Sequence, residues 1–210
     1  MTGTEFDYKT CAASCAHEYI LPAVLNLVRA RVSRGKILDF GCGNGFLANE
    51  LGKLDFDVSG ADVSVSGIEM ARAAFPSVKF CVADLESDDL DLKFFPLETF
   101  DILVSTEVVE HVFKPRHFAR NAFRLLRPGG SFIVTTPYHG YLKNLVLALS
   151  GQMDTHFTAL WDGGHIKFWS RKTLTELLKE QGFQEVQFCG AGRFPYIWKS
   201  MILVARKPLV

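Results

Sequence analysis

Short apolar runs alternate with segments of helical periodicity along the chain from Gly35 onward. Runs of this length and hydrophobicity are typical of strands in a parallel sheet, and the segments between them are typical of crossover helices. The pattern predicts seven strands, at Lys36–Phe40, Asp57–Asp62, Lys79–Asp84, Asp101–Ser105, Ser131–Thr135, and near Glu185–Cys189 and Ile197–Ala205. The predicted fold class is therefore α/β.

Capping residues and periodicity place helices around these strands. Ser66-Gly-Ile-Glu69 has the spacing of a capping box, and a last helix is predicted from Ser170, as its N-cap, to Gln181. Residues Ala16 to Val32 are predicted to form one or two helices that lean on the sheet, with Pro22 near a helix boundary.

The chain has no internal repeat, low-complexity run or linker, and 210 residues suit one hydrophobic core. We therefore expect a single domain over residues 1–210, with an N-terminal helical segment at 1–34. Residues 138–165 combine aromatic residues, histidines and flexible glycines between catalytic strands, which favours a lid over an acceptor. The 48% of hydrophobic residues excludes a disordered or collagen-like chain.

Charge and cysteine content narrow the choice of partner and compartment. Lys plus Arg and Asp plus Glu both number 23, so no net charge draws the whole molecule to nucleic acid or an anionic membrane. Five cysteines without CxxC spacing indicate neither a disulfide framework nor a zinc knuckle. The chain has neither a signal-peptide pattern nor an apolar run that could span a bilayer. We therefore expect a cytoplasmic protein with no membrane span.

A glycine-rich loop follows the first strand directly, in the run Asp39-Phe-Gly41-Cys42-Gly43-Asn-Gly45. Such glycines let the backbone approach a ligand at the carboxyl end of a strand, so a nucleotide-like cofactor is indicated. Phe46 replaces the third glycine of the dinucleotide fingerprint, and no Gly-Lys-Ser/Thr follows for a phosphate loop. The carboxylate of Asp39 would repel a pyrophosphate but suits a ligand that carries an ammonium and a sulfonium.

Two further acids end the second and third predicted strands. Asp62 stands where an acid can take both hydroxyls of a ribose, and Asp84 is available to an adenine amino group. Val63 and Leu85, the residues that follow them, are included in the same predicted cofactor site.

Together these motifs resemble those of the class I S-adenosylmethionine-dependent methyltransferases. The likeness is carried by Ile37-Leu-Asp39-Phe-Gly41-Cys-Gly43-Asn-Gly45, Gly60-Ala-Asp62, Val82-Ala-Asp84 and Leu126-Arg-Pro128-Gly-Gly130. It covers roughly residues 35 to 205 and implies S-adenosylmethionine as cofactor. It also implies a sheet order of 3-2-1-4-5-7-6 with the seventh strand antiparallel.

The fourth strand leads into a cluster of candidate catalytic residues. If Glu107 opens a helix, then Glu107, Glu110 and His111 lie on one face at i, i+3 and i+4. Such a set suits Mg²⁺ or Mn²⁺, and Fe²⁺ or Zn²⁺ if His165 joins it. Without a metal, His111 or His165 could act as general base for the acceptor. The predicted catalytic residues are therefore Glu107, His111 and His165.

The same residues resemble, more loosely, two groups of metal-assisted methyltransferases. These are the polyprenyl catechol O-methyltransferases and the small-RNA 3′-terminal 2′-O-methyltransferases, and either resemblance implies a hydroxyl acceptor. Tyr138 departs from the amide that is usual in the RNA group, and a stripe of arginines at 116, 120, 124 and 127 is interpreted as a solvated helix face.

We therefore predict methyl transfer to a hydroxyl of a small molecule, with nucleic acid not expected as a partner. An RNA 2′-O-methyltransferase and a non-enzymatic cofactor-binding protein are the alternatives, and a nicotinamide oxidoreductase is more remote. The sequence leaves the acceptor and the oligomeric state open.

Overall fold

The computed structural model describes residues 8–10, 12, 16–90 and 94–209. Within these residues the strands are β1 (Lys36–Phe40), β2 (Asp57–Asp62), β3 (Lys79–Val82), β4 (Phe100–Thr106), β5 (Leu126–Pro137), β6 (Gln184–Ala191) and β7 (Ser200–Arg206). The helices are α1 (His17–Arg29), α2 (Phe46–Gly52), α3 (Val65–Ala74), α4 (Pro115–Leu125), α5 (Tyr141–Leu149), α6 (Met153–Phe157) and α7 (Arg171–Glu180). Cys11, Cys15 and the first residues of the predicted 1–34 segment lie outside the described residues.

The strands form one sheet in the order β3-β2-β1-β4-β5-β7-β6. Strands β3, β2, β1, β4 and β5 pair in parallel, and β7 runs antiparallel to both β5 and β6. The predicted α/β class and sheet order are therefore confirmed. Because parallel strands end at the same edge, the loops after β1, β2, β3 and β4 converge on one crevice.

The sheet separates two hydrophobic layers, so its central strands carry buried apolar side chains on both faces. Along β1, Ile37 packs into one layer while Leu38 and Phe40 pack into the other. Ile133 of β5 likewise faces opposite to Phe132. Each such buried side chain stabilises the fold by about 1.5–3 kcal/mol, so the strands that carry the crevice are firmly held.

Helix α1 continues through Pro22, so the predicted boundary there is wrong. Proline has no N–H to donate to the carbonyl of Glu18, which weakens one turn. Burial of Ile20, Val24 and Val28 against the sheet offsets this loss and keeps the helix intact.

Other predicted boundaries also differ from the structure: β5, for example, is Leu126–Pro137 where Ser131–Thr135 was predicted. The N-cap of α3 is Ser64, whose Oγ accepts a hydrogen bond from the backbone N–H of Gly67 at 3.1 Å, rather than Ser66. Strand β3 ends at Val82, so Asp84 lies in the following loop. The predicted N-cap of α7 is confirmed, since Ser170 and Thr173 form a reciprocal capping box.

The predicted lid, residues 138–165, contains two helices, α5 and α6, and an irregular segment that returns to the crevice. None of the helices in the described part of the chain has the length and hydrophobicity needed to cross a bilayer.

Candidate active site

The glycine loop after β1 depends on backbone conformations that favour glycine. Gly41 has φ 97° and Gly43 has φ 51°, both in the left-handed region. A Cβ atom on Gly41 would collide with the side chain of Val108, and one on Gly43 would collide with the ring of Tyr8. The loop is therefore packed closely between the turn after β4 and the N-terminal segment.

Asp62 braces the same loop. Its Oδ2 accepts a hydrogen bond from the backbone N–H of Gly43, and its Oδ1 accepts one from the backbone N–H of Ser64, both at 2.8 Å. Burial raises the pKa of Asp62, and these backbone hydrogen bonds oppose the rise. The carboxylate thus fixes the glycine loop to the start of α3 while facing the crevice.

Asp39 lies in β1 beneath the loop and is fully buried. Neither carboxylate oxygen has a hydrogen bond of ordinary geometry with the described residues. Burial, followed by the negative charge of Asp62, raises the pKa of Asp39 to about 8, against a smaller opposing effect of the Ala48 backbone. A carboxyl group in this state gains most from a cation placed beside it.

A cavity of about 410 Å³ opens above the strand tips. Of the residues predicted from the sequence, it is lined by Asp39, Gly41, Cys42, Gly43, Asp62, Val63, Asp84, Leu85, Glu107, His111 and His165. Gly45 and Glu110 are not part of this lining. A Cβ on Gly45 would meet Ala71 and Phe80, so this glycine serves packing at the start of α2.

The turn after β4 is not helical, so the predicted helix from Glu107 is wrong. Glu107 has φ 54°, a left-handed conformation that ends β4, and its N–H donates to Thr135 Oγ1 at 3.1 Å. The side chain of Glu107 accepts hydrogen bonds from Thr135 Oγ1 at 2.7 Å and Ser200 Oγ at 3.1 Å. Burial raises the pKa of Glu107 to about 7, although these two hydroxyls oppose the rise.

Glu107 therefore lies apart from the other predicted metal ligands. Glu110, His111 and His165, in contrast, lie close together. One ligand atom from each of these three residues lies within 4.8 Å of the others. The Glu110 carboxylate is fully buried, has no hydrogen bond of ordinary geometry with described residues, and lies 3.9 Å from His165 Nε2. Burial and then the charge of Glu107 raise the pKa of Glu110 well above its usual range.

The tautomer of His111 follows from its surroundings. Its Nδ1 lies 3.1 Å from the carbonyl oxygen of Gly163 and 3.2 Å from that of Gly164. Since a carbonyl only accepts, Nδ1 must carry the proton, which leaves Nε2 of the neutral ring with a lone pair. Burial lowers the pKa of His111, against the effect of these two carbonyls, so the neutral form prevails near pH 7.

Several polar residues beside the site were not predicted from the sequence. Tyr8 and His17 line the cavity from the N-terminal side. Under the lid, burial followed by the charge of Arg193 lowers the pKa of Lys143 to about 8, while Glu107 opposes this. His139, which lies beyond the cavity lining, is buried near Lys143, and burial lowers its pKa to about 4. His139 and Lys143 fall in the segment predicted as a lid and His17 in the predicted N-terminal helical segment, but which side chains face the site depends on tertiary contacts.

Residues 13–187 match the family model described as a methyltransferase domain. The chain is similar to the ubiquinone biosynthesis O-methyltransferase of Roseobacter denitrificans, with 31% identity over 78% of this chain and 65% of the relative. It is also similar to the mitochondrial ubiquinone biosynthesis O-methyltransferase of Homo sapiens, with 34% identity over 70% of this chain and 41% of the relative. The chain spans about half the length of the curated relatives it matches.

Solved structures share the architecture. The structure of an S-adenosylmethionine-dependent methyltransferase from Methanosarcina mazei superposes with a TM-score of 0.67 and 21% identity, covering 88% of this chain and 98% of that one. The sheet order described above matches the one that the sequence motifs imply. The chain therefore belongs to the methyltransferase domain family and has the fold of the class I S-adenosylmethionine-dependent methyltransferases.

Proposed function

We propose that the protein transfers the methyl group of S-adenosylmethionine to a hydroxyl group of a small molecule, forming an ether. The observation that carries this proposal is the shared cavity: the glycine loop and its acids line one part, and His111 and Glu107 line another. A cofactor held by the first group would meet an acceptor held by the second in the same cavity.

The cofactor side of the cavity fits a cationic ligand. Asp39 is a buried carboxyl group without a hydrogen-bond partner of ordinary geometry among the described residues, and the ammonium group of S-adenosylmethionine would supply one. Asp62 and Asp84 would receive the ribose hydroxyls and the adenine amino group, as the family motifs imply. The neighbouring side chains of Val63 and Leu85 offer apolar contact in the same cavity.

The acceptor side offers a base for a hydroxyl group. Bound S-adenosylmethionine supplies a methyl carbon attached to a positively charged sulfur. The acceptor oxygen would bond to this carbon as the carbon–sulfur bond breaks, with the bonding pair left on sulfur in S-adenosylhomocysteine. The hydroxyl proton passes to Nε2 of His111, which the carbonyls of Gly163 and Gly164 keep in the required tautomer.

Glu107, which lies in the same turn after β4 as His111, would support the same step. Its carboxylate is held by Thr135 and Ser200, so it can accept a hydrogen bond from the acceptor without first reorienting. The names of the relatives, which are O-methyltransferases of ubiquinone biosynthesis, support an oxygen acceptor.

A bound divalent cation is a second candidate for activating the hydroxyl. The unpartnered carboxylate of Glu110 and the imidazoles of His111 and His165 fit a cation that accepts nitrogen and oxygen ligands, such as Mn²⁺, Fe²⁺ or Zn²⁺. Such an ion would lower the pKa of the acceptor hydroxyl. Glu107 would not belong to this set, because the ligand atoms that lie within 4.8 Å of one another come from Glu110, His111 and His165.

The arginine stripe gives little support to the alternative of an RNA methyltransferase. Arg116 pairs with Glu180, Arg120 with Asp88, and Arg127 with Asp101. Arginines already paired with carboxylates neutralise fewer phosphates, so fewer counterions would leave the RNA and these arginines would contribute less to its binding.

The test is a transfer assay with isotopically labelled S-adenosylmethionine and matched aromatic acceptors that differ only in carrying a hydroxyl, an amine or a thiol. We expect label to appear in an ether product of the hydroxyl compounds, with one S-adenosylhomocysteine released per methyl transferred. Transfer to the amine or thiol compounds alone would refute O-methylation, and cofactor binding without any transfer would favour the non-enzymatic alternative.

A further inference from the structure

The buried side of helix α4 carries one polar residue among apolar ones. The buried residues of this helix are Asn121 and four apolar neighbours, Phe118, Ala119, Ala122 and Leu125. Asn121 is 0% exposed, and burying an amide is unfavourable unless its polar atoms find partners. Because Asn121 does not line the cavity, the reason for an amide here must lie in what it binds within the protein.

The amide of Asn121 binds the turn that follows β3, residues 84–87. Its Nδ2 donates a hydrogen bond to the carbonyl oxygen of Leu85 at 3.0 Å and another to that of Ser87 at 2.7 Å. An amide nitrogen has two hydrogens, so both are used on this one turn. The Oδ1 atom has no hydrogen bond of ordinary geometry with the described residues. Asn121 therefore acts through its two donors, which an apolar side chain could not supply.

The 84–87 turn carries the acid expected at the adenine amino group. Oδ1 of Asp84 accepts a hydrogen bond from the backbone N–H of Glu86 at 2.9 Å, and the Asp84 carbonyl accepts one from the N–H of Ser87 at 3.1 Å. These bonds are typical of an aspartate that folds its own turn. The other carboxylate oxygen, Oδ2, is then available to a ligand in the cavity, which Asp84, Leu85 and Glu86 line.

Two further contacts connect α4 with this region, and both lie at the surface. Glu86 accepts a hydrogen bond from the backbone N–H of Lys114, the residue before α4, and Arg120 pairs with Asp88. The side chains of Arg120 and Asp88 are 40% and 62% exposed, and exposed ion pairs contribute little. Hydrogen bonds are stronger where water is excluded, as at the buried amide of Asn121. Asn121 is therefore the main connection between α4 and the turn.

We propose that Asn121 is a positioning residue that sets the selectivity of the cofactor site for adenine. By holding the carbonyls of Leu85 and Ser87, its amide fixes the turn that presents Asp84 to the base. The Asp84 carboxylate accepts a hydrogen bond from the adenine amino group and repels a base with a carbonyl oxygen at that position, such as hypoxanthine. This inference rests on the proposed function, because it requires an adenosine cofactor in the cavity.

The test is isothermal titration calorimetry of the full chain with S-adenosylhomocysteine and with the analogue in which hypoxanthine replaces adenine. No acceptor is added, so the result does not depend on methyl transfer. We expect the unmodified chain to prefer the adenine compound about tenfold or more, since the analogue loses a hydrogen bond to a charged group. Asn121→Leu keeps the branching of the side chain but has no donor, and it should lower this preference to about threefold or less.

A double-mutant cycle tests whether Asn121 acts through Asp84. Asp84→Asn keeps Oδ1 for the N–H of Glu86 and places an amino group at the position of Oδ2, so the preference for adenine should be lost or reversed. Adding Asn121→Leu to this variant should change the preference no further. A further change as large as the one in the unmodified chain would contradict an action through Asp84.

Leu125→Ala is the matched control for damage to α4. Leu125 is also fully buried on this helix, but its apolar side chain forms no hydrogen bond to the turn. Its replacement should lower the melting temperature and leave the preference for adenine unchanged. Circular dichroism melting curves verify that each variant is folded. If leucine at position 121 prevents folding, Asn121→Ala removes the same donors without adding volume and should show the same loss of preference.

Three results would overturn the inference. They are equal binding of the two compounds by the unmodified chain, an unchanged preference in a folded variant of Asn121, and an equal loss of preference in Leu125→Ala. The last result would assign Asn121 to the stability of α4 alone. Binding with the expected preferences by a chain that transfers no methyl group would instead refute the proposed function alone.

Discussion

The Nδ1 atom of His111 lies 3.1 Å from the carbonyl oxygen of Gly163, which follows it by 52 residues. This contact joins the turn after β4 to the end of the predicted lid, residues 138–165. It fixes the imidazole as the tautomer whose Nε2 can accept a proton. The position of the lid and the protonation of the candidate base are therefore linked.

Replacing His111 should affect the chemical step and not cofactor binding. We expect His111→Gln to lower kcat by about 10²–10⁴-fold, the usual contribution of a positioned general base. The dissociation constant for S-adenosylmethionine should change little, because the glycine loop and its acids remain intact. Steady-state kinetics and calorimetry with the same preparation measure both quantities.

A suitable control for this variant is His117→Gln. His117 lies on α4 and outside the cavity lining, so its replacement should leave kcat unchanged. An unchanged kcat in a folded His111→Gln variant would eliminate His111 as the base.

The raised pKa of Asp39 predicts how the stability of the cofactor-free protein depends on pH. Its pKa rises from an ordinary value of 3.8 to about 8 in the folded protein, so the folded state holds a proton that the unfolded state has lost. The unfolding free energy should therefore fall as pH rises from 4 to 8, by at most about 1.4 kcal/mol per pH unit for this group. Asp39→Asn removes this ionisation, so its stability relative to the unmodified chain should increase across that window. Urea denaturation at several pH values measures the difference, and parallel curves for the two proteins would contradict a protonated Asp39.

Replacing Gly41 tests how closely the glycine loop is packed. Gly41→Ala introduces a side chain at φ 97° and against Val108, so we expect a loss of about 2–5 kcal/mol in unfolding free energy and weaker cofactor binding. Gly151 has φ 67° but open space where a Cβ atom would lie, so Gly151→Ala should cost only about 1–2 kcal/mol. Equal losses in the two variants would show that the Val108 contact is unimportant.

Metal removal distinguishes the two ways of activating the acceptor. If a cation is required, exhaustive chelation should abolish activity and added Mn²⁺ should restore it, while Glu110→Gln should weaken this recovery. Glu86 also lines the cavity but lies outside the trio, so Glu86→Gln should recover normally. Full activity after stripping would exclude the cation and leave His111 as the base.

The strands could be predicted because their signals are local, whereas their order was implied by the resemblance to the methyltransferase family. Lys36–Phe40 and Asp57–Asp62 were predicted with the bounds that the structure has, since short apolar runs are bounded by turns. The glycine loop and Asp62 then followed from the spacing of residues around these two strands. Boundaries set by tertiary contacts could not be predicted in this way. Pro22 lies inside α1 because three buried residues hold that helix on the sheet.

The residues of the candidate catalytic turn could be predicted from the sequence, but their relative positions could not. Helical spacing grouped Glu107 with Glu110 and His111, whereas hydrogen bonds from Thr135 and Ser200 draw Glu107 away. Those partners lie 28 and 93 residues further along the chain, so no local pattern reveals them. The approach of His165 to Glu110 likewise depends on how the lid returns to the sheet.

The central claim is that the cavity over the first three strand ends holds a positively charged sulfur nucleoside. Isothermal titration calorimetry with S-adenosylmethionine, with a nicotinamide dinucleotide as comparison, tests it directly. We expect saturable one-to-one binding of S-adenosylmethionine, weakened in Asp62→Asn, and no heat from the dinucleotide. Tight binding of the dinucleotide with no heat from S-adenosylmethionine would contradict the claim.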